Sequence, residues 1–321
     1  MQIRHRPPYA IGMGTGAVCV SATAVFLALA GTTAPTASVY RCALAVPVVA
    51  IAALFERRRH TSRQRPADIA RSVLAGILFA VDVLYWTAAI PEVGAGLSTV
   101  LVNAQIVLVP VLARIFGGER IPDRFLLMLP LVLAGVALTG GVLESGGTGD
   151  APVRGTVHAL LAALGYSGFL YLLRRGGSAG RPIGTYLVVL TTAAITSAIV
   201  GLLQHDLVLA PGRSAMFWLV LVTVCGQLSG WFLVALCSPH LPADAGAALL
   251  LLTPVGALIL GAVILGQRPG AWQIGGSVLM LAAAYAGTRR GAAEPGLTPD
   301  SPRPDARESR PDDRTPRRSA R

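Results

Sequence analysis

The sequence predicts an all-α membrane protein of ten transmembrane helices, arranged as two inverted five-helix repeats. Its 321 residues are 53% hydrophobic and 13% charged, with a mean hydropathy of +0.62, which is too apolar for a soluble domain. Ten separate apolar segments provide the helices. The phrase Gly118-Glu119-Arg120 recurs as Gly266-Gln267-Arg268, 148 residues further along, which indicates an internal duplication.

Each apolar segment holds about 20 residues, the length that an α-helix needs to cross a hydrocarbon core of about 30 Å. The segments are 10–30, 36–55, 69–90, 94–116, 125–143, 155–173, 183–203, 214–236, 243–265 and 270–287. The chain is thereby divided into a cytoplasmic N-terminus (1–9), a first repeat (10–143), a second repeat (155–287) and a tail (288–321).

The first segment has two features of a secretory signal, because Arg4 and Arg6 precede it and Ala28-Leu29-Ala30 ends it. The apolar part of a signal peptide holds about 7–15 residues, and this segment is longer. We therefore expect an uncleaved first helix.

Arginines are concentrated in the loops that follow the second, fourth and sixth segments. Short cytoplasmic loops collect positive residues, so both termini are predicted to be cytoplasmic, in the plasma (inner) membrane of a bacterium. The loops after the first and third segments, the latter at 91–93, contain no basic residue. The arginines in question are Arg57, Arg58, Arg59, Arg63, Arg65, Arg71, Arg120, Arg124, Arg174, Arg175 and Arg181.

The repeated phrase lies between the fourth and fifth segments of each half. Because each unit crosses the membrane five times, an odd number, the second unit enters the membrane in the opposite orientation to the first. Inverted repeats of this kind are typical of secondary transporters, which bind their substrates near the membrane midplane.

The net charge of +11 does not indicate nucleic-acid binding, because most of it follows the loop topology. The tail from Thr288 onward has nine basic and six acidic residues and is rich in proline. Without apolar periodicity it is predicted to be disordered, with membrane lipid headgroups as its expected partner.

Several phrases resemble the EamA branch of the drug/metabolite transporter (DMT) superfamily. They are Tyr40-Arg41 at the start of the second segment, Tyr85-Trp86 with Ala88-Ala89 in the third, and the Gly-Glu-Arg phrase after the fourth. The resemblance covers residues 10–287. It implies two five-helix EamA repeats around a central cavity, lined mainly by the first, third and fourth helices of each half, and transport of amino acids, other metabolites or drugs.

Polar residues inside the apolar segments predict the same cavity. Asp82 lies eight residues from the outer end of the third segment, about 12 Å deep at about 1.5 Å per residue. A carboxylate at that depth costs roughly 2.5–3.5 kcal/mol on insertion scales, so it is expected to face protein or water. Trp86 lies on the same helical face, and a shift of 145 residues places Gln227 and Trp231 at the matching positions.

The matching position of Gln105, in the fourth segment, is Thr253 at the 148-residue shift. Asp82, Trp86, Gln105, Gln227 and Trp231 are therefore the predicted substrate-cavity residues. The tryptophans can equally be packing residues. Asn103 lies two positions before Gln105, so we expect the two to point to different faces and at least one to bond to a neighbouring helix.

Two roles remain open for Asp82. It either recognises a cation or carries protons, or it forms a structural ion pair with Arg41, which lies at a similar depth. Arg114 and Glu119 are interpreted as structural or ion-pair residues near the cytoplasmic interface. Pro110 and Pro254 are expected to kink their helices, and the spacings Gly12/Gly16 and Gly226/Gly230 indicate close helix packing.

Other chemistries find little support in the sequence. Gly165-Tyr166-Ser167-Gly168 resembles an intramembrane protease motif, but His158 lies on the opposite face of the same predicted helix. Metal-binding and nucleotide-binding motifs are absent, and the four cysteines have no paired spacing. We therefore expect no enzyme activity, no cofactor and no metal.

The predicted function is secondary transport of a small organic metabolite, amino acid or drug by alternating access. Export is favoured by analogy, and proton coupling through Asp82 is one form of the hypothesis. An uncoupled facilitator and a non-transporting membrane scaffold or lipid-handling protein are the alternatives. The sequence fixes neither the substrate nor the oligomeric state.

Overall fold

The computed structural model describes residues 7–59, 65–118, 123–140, 149–176, 181–237, 240–241, 246 and 249–291. Within these ranges the chain is helical and contains no β-strand. The helices are α1 (Pro7–Ala30), α2 (Ala34–Ala43), α3 (Val46–Arg59), α4 (Pro66–Val93), α5 (Ala95–Val102), α6 (Gln105–Gly117), α7 (Asp123–Thr139), α8 (Pro152–Gly176), α9 (Pro182–Leu203), α10 (Gly212–Val222), a π-helical segment (Thr223–Gly230), α11 (Trp231–Cys237), α12 (Leu252–Leu265) and α13 (Ala271–Gly291).

The described part of the chain has seven helical segments that are long and apolar enough to cross a membrane, and three shorter apolar helices. The seven are Pro8–Ala30, Ala34–Arg58, Pro66–Val93, Ala95–Gly117, Pro152–Leu173, Pro182–Leu203 and Gly212–Val234, and the three are Met128–Thr139, Leu252–Leu265 and Ala271–Ala286. The protein is therefore a multi-pass membrane protein. Each predicted segment overlaps one of these helices, whereas ten full crossings and the inverted relation of the halves stay predictions.

Four predicted segments are interrupted rather than continuous, including the ninth, which has a turn at Leu251. The second turns at Leu44 and Ala45, just before Pro47, and the fourth is broken at Asn103 and Ala104. The eighth widens into the π-helical segment, where the Trp231 N–H bonds to the Gly226 carbonyl. Interruptions inside a membrane are tolerated where they line a cavity or are buried in protein.

Two boundaries differ from the sequence prediction. Residues 91–93, expected in a loop, form the last turn of α4. Helix α13 extends to Gly291, so the predicted tail (288–321) begins inside a helix. The rest of the tail, 292–321, lies outside the described residues, as do 1–6 at the N-terminus.

The duplicated phrase marks a helix end in both halves. Gly118 and Gly266 follow α6 and α12 with φ of 66° and 65°, the left-handed conformation that favours glycine. The helix break at Asn103 recurs as a turn at Leu251, again 148 residues later. The repetition therefore includes backbone conformation as well as sequence.

Small residues bring the two halves into contact. A Cβ atom on Gly16 would lie 2.9 Å from the Gly230 carbonyl oxygen, and one on Gly12 would lie 2.7 Å from Cys237 Sγ. The predicted close packing of the Gly12/Gly16 and Gly226/Gly230 helices is confirmed at these contacts. Close van der Waals packing of this kind drives helix association in lipid, where the hydrophobic effect between helices is absent.

Helix α9 is fastened to the first half at both ends. At its start the buried Glu56 carboxylate accepts from the N–H groups of Ile183 and Gly184, at 3.0 and 2.8 Å, which satisfies free donors of the helix N-terminus. Just beyond its other end, the Val208 N–H donates to Thr36 Oγ1 at 2.9 Å. The bonds at both ends hold α9 against α2 and α3.

Candidate functional site

A cavity of about 310 Å³ lies between the two halves. Its walls come from α1, α2, α4, α5, the α5–α6 break, α8, α11 and α12, and the interrupted helices expose polar groups there. The polar and aromatic side chains that line it are Thr23, Arg41, Phe79, Asp82, Trp86, Thr99, Asn103, Gln105, Tyr166, Trp231 and Thr253.

Asp82 lies in the middle of α4 and is 8% exposed. No described residue forms a hydrogen bond or ion pair with its carboxylate. Helix α8 packs against its backbone at Gly165, where a Cβ would lie 2.9 Å from the Asp82 nitrogen. Asp82 therefore presents a free carboxylate to the cavity from a rigid position.

Arg41 enters the same cavity from α2 and is 5% exposed. Its Nη2 donates to Gln227 Oε1 at 3.0 Å, and its guanidinium carbon lies 5.2 Å from the centre of the Trp86 ring. Among the described residues Arg41 has no ion-pair partner, so the alternative pairing of Asp82 with Arg41 is not formed. Its Nε and Nη1 atoms are buried and have no hydrogen-bond partner.

The predicted cavity residues divide into four that line the cavity and one that does not. Asp82, Trp86, Gln105 and Trp231 lie on its wall. Gln227 is 2% exposed and lies behind Arg41, in the π-helical segment. Gln227 therefore acts on the cavity by holding Arg41 in place.

The fourth and ninth predicted segments (94–116 and 243–265) contribute polar side chains near their matching helix breaks. Gln105 and Thr253 both line the cavity, as the 148-residue shift predicts. Asn103 lines it too, and its Nδ2 donates to the Thr99 carbonyl of its own helix at 2.9 Å. The prediction that Asn103 and Gln105 point to different faces is wrong, because both line the cavity. The helix is broken at Asn103 and Ala104, so regular helical spacing does not apply.

The remaining predicted residues lie away from the cavity, with one exception. Pro254 lines it at the start of α12, whereas Pro110 lies in α6 outside its walls. Arg114 is exposed in the last turn of α6, which suits a side chain at the membrane interface. Glu119 lies outside the described residues.

The sequence interpretation missed a charged cluster at the end of α4. Glu92 is 7% exposed and accepts from Arg154 Nε at 2.7 Å, and its other oxygen lies 2.6 Å from His158 Nδ1. The sequence gives a positional signal, since Glu92 directly follows the third segment while Arg154 and His158 flank the start of the sixth, at the same predicted membrane face. Ser167 lies apart from this cluster and donates to the Ala163 carbonyl at 2.6 Å.

Within the described ranges, no group of three or more His, Cys, Asp or Glu side chains is placed to hold a metal ion. The cavity instead offers one free carboxylate, one buried guanidinium, two indole rings and neutral hydrogen-bonding groups. Such a surface can bind a small organic molecule that has both polar and apolar parts.

Three comparisons relate this chain to known proteins. The model of the EamA-like transporter family matches residues 8–141. An undecaprenyl-diphosphatase of Haloarcula marismortui is 30% identical over 244 residues, which cover 69% of this chain and 87% of that protein. A crystal structure with 18% sequence identity superposes with a TM-score of 0.58 over 90% of this chain and 99% of its own, a likeness of fold.

Proposed function

We propose that this chain, whose residues 8–141 match the EamA-like transporter family, is a secondary transporter that exports a small organic solute by alternating access. The single observation that supports this most is the cavity between the halves. Both halves contribute polar side chains to it, and these side chains lie on membrane-spanning helices. A membrane protein with only a structural role has no need of a carboxylate and a guanidinium in such a position.

The solute binds between the halves, which rock around it. Trp86 and Trp231 offer flat apolar surfaces from the two sides, and Gln105 and Thr253 offer hydrogen bonds at the two helix breaks. Helix α9 moves with α2 and α3, because hydrogen bonds hold it to them at both ends. The solute class is an amino acid, another metabolite or a drug of comparable size.

Asp82 is the proposed site for a cationic group or a proton. Its carboxylate has no hydrogen bond or ion pair with any described residue, so it is free to exchange partners during the cycle. A carboxylate locked to Arg41 would favour the uncoupled facilitator instead. The free geometry supports coupling over that alternative.

We further propose the setting that the arginine-rich loops indicate: a bacterial inner membrane, with both termini in the cytoplasm. Membrane lipids and the solute, with protons as coupling ions, are the expected partners, and nucleic acid is not. Substituted-cysteine labelling from each side tests the orientation, in a background without the four native cysteines, which are unpaired. Labelling of a cysteine at Arg181 from outside the cell would contradict it.

Solute flux in proteoliposomes tests the transport proposal. A pooled panel of amino acids, metabolites and cationic drugs is assayed with and without a proton gradient, for the wild type and Asp82→Asn. We expect gradient-driven flux in the wild type and loss of the gradient dependence in the variant. Flux that ignores the gradient in both proteins would favour the facilitator, and no flux for any solute would favour the scaffold.

A second candidate function comes from the Haloarcula marismortui relative, named an undecaprenyl-diphosphatase. It gives the lipid-handling alternative a definite reaction, hydrolysis of a polyprenyl diphosphate. The same purified protein is therefore assayed for phosphate release from undecaprenyl diphosphate in detergent. Release that requires Asp82 or Arg41 would replace transport with this activity, whereas we expect none.

A further inference from the structure

Arg41 and Gln227 together have hydrogen-bond donors that no described group accepts. Arg41 uses Nη2 on Gln227 Oε1, but its Nε and Nη1 and the Gln227 Nε2 have no partner. Both side chains are more than nine-tenths buried. Buried polar groups in native proteins are nearly always paired, so three unpaired donors in one pair of side chains need an explanation.

The cluster is a donor set without an acceptor. Gln227 Oε1 is already occupied by Arg41, and no carboxylate of a described residue forms an ion pair with the guanidinium. A buried guanidinium of this kind is costly unless a negative group compensates its charge. Every vacant hydrogen-bonding position of the cluster therefore favours a negatively charged acceptor.

The surroundings hold this donor set in place. Trp86 covers the guanidinium, and the Thr223 hydroxyl, which donates to the Leu219 carbonyl at 2.9 Å, lies 3.5 Å from the Arg41 carbonyl. Gly226 lets the π-helical segment approach closely, since a Cβ there would lie 3.9 Å from Arg41 Nη2 and 2.7 Å from Thr23 Cγ2. The donors are thus fixed beside the cavity before any ligand arrives.

We propose that Arg41 and Gln227 form an anion-binding subsite in the cavity wall, which takes a small monoanionic group. A carboxylate on the solute and a free halide ion share this chemistry. Arg41 and Asp82 present opposite charges to one cavity, so a single solute can engage both. The assignment of the bound anion to a carboxylate of the solute rests on the proposed transport. Anion binding itself does not, because it can be measured without flux.

Thermal unfolding of the purified full-length protein tests the subsite. The protein in detergent is titrated with sodium acetate or sodium chloride, in parallel with the Gln227→Glu variant at the same salt concentrations, so that general effects of salt on stability cancel. A ligand that binds only the folded state raises the unfolding midpoint with concentration. We expect a saturable rise in the wild type that exceeds the rise in the variant by at least about 2 °C, and equal rises in the two proteins would overturn the proposal.

Two variants and one control make the test specific. Gln227→Glu places a carboxylate beside the free donors, so we expect a folded protein that no longer responds to acetate or chloride. Arg41→Gln should also lose the response, and Gln227→Glu decides the matter where Arg41→Gln does not fold. Arg114→Gln changes an exposed arginine of α6 and should respond like the wild type. A normal response in Gln227→Glu would contradict the subsite.

The source of the anion is decided in proteoliposomes in a chloride-free medium of low salt concentration. Where the solute supplies the anion, wild-type flux falls at least tenfold when the carboxylate of a transported solute is replaced by its methyl ester. Where a halide supplies it, flux of the ester depends on added chloride. Either result supports the subsite, whereas flux that is indifferent to both changes would contradict a role for it in transport. If no solute is transported, the proposed function fails, and the unfolding experiment still tests the anion-binding subsite.

Discussion

The third and eighth membrane segments, whose Asp82 and Gln227 are related by the shift of 145 residues, serve the cavity in different ways. In the first half, α4 is an unbroken helix that presents Asp82 to the cavity without a partner. In the second half, the π-helical segment buries Gln227 behind the wall, where it holds Arg41. The two positions therefore differ: Asp82 presents a charge to the cavity, whereas Gln227 supports the charge of Arg41 in the other half.

The largest effect that tests this difference is expected at Asp82. Asp82→Asn should lower gradient-driven accumulation of solute at least tenfold, because the amide cannot give up or take on a proton. Its stability should stay unchanged or rise, since the substitution removes a charge from the interior of the membrane. Flux in proteoliposomes measures the accumulation of solute, and chemical unfolding of the same preparation measures the stability. A variant that loses stability along with flux would make Asp82 a structural residue.

At the equivalent position, Gln227→Leu should mainly reduce stability. It leaves Arg41 without its described acceptor, and an unsatisfied buried donor costs about 1–3 kcal/mol, more when it is charged. Unfolding in increasing denaturant, followed by circular dichroism, measures the loss. Stability equal to the wild type would show that Arg41 finds another partner, and the contrast between the two halves would then be lost.

The helix ends after α6 and α12 offer the opposite case, in which the halves have stayed alike. Gly118→Ala and Gly266→Ala each force a side chain into the left-handed conformation, which costs about 1–2 kcal/mol. Nothing lies within 4 Å of the added Cβ at either position, so the two variants should lose the same stability. Losses that differ by more than about 1 kcal/mol would mean that the repeats differ here as well.

The smallest effect should separate the two tryptophans. Trp86 lies over the Arg41 guanidinium, whereas the Trp231 ring lies 6.4 Å from that of Tyr166 and contacts no cation in the described residues. Trp86→Phe should therefore cost about 0.5 kcal/mol more than Trp231→Phe, because tryptophan is the better cation–π partner. Parallel unfolding curves give the difference, and equal losses would argue that the guanidinium gains nothing from Trp86.

Much of the site was predictable from residue types. Charged and amide groups are rare inside apolar segments, so Asp82 and Gln105 are conspicuous in the sequence, and both line the cavity. The wrong prediction for Asn103 assumed an unbroken helix. A short amide that bonds to the carbonyl of its own helix competes with the regular hydrogen-bond pattern, and periodicity does not reveal which alternative forms.

The sequence by itself determined the apolar segments, the duplicated phrases and the resemblance to the family, because these depend on local composition and on residue order. Only the tertiary structure decided that Arg41 bonds to Gln227, 186 residues away, and leaves Asp82 free. The same holds for the cluster of Glu92 with Arg154 and His158. A buried charge binds whichever partner the helix packing brings within reach, and that choice depends on distances through space that no local pattern records.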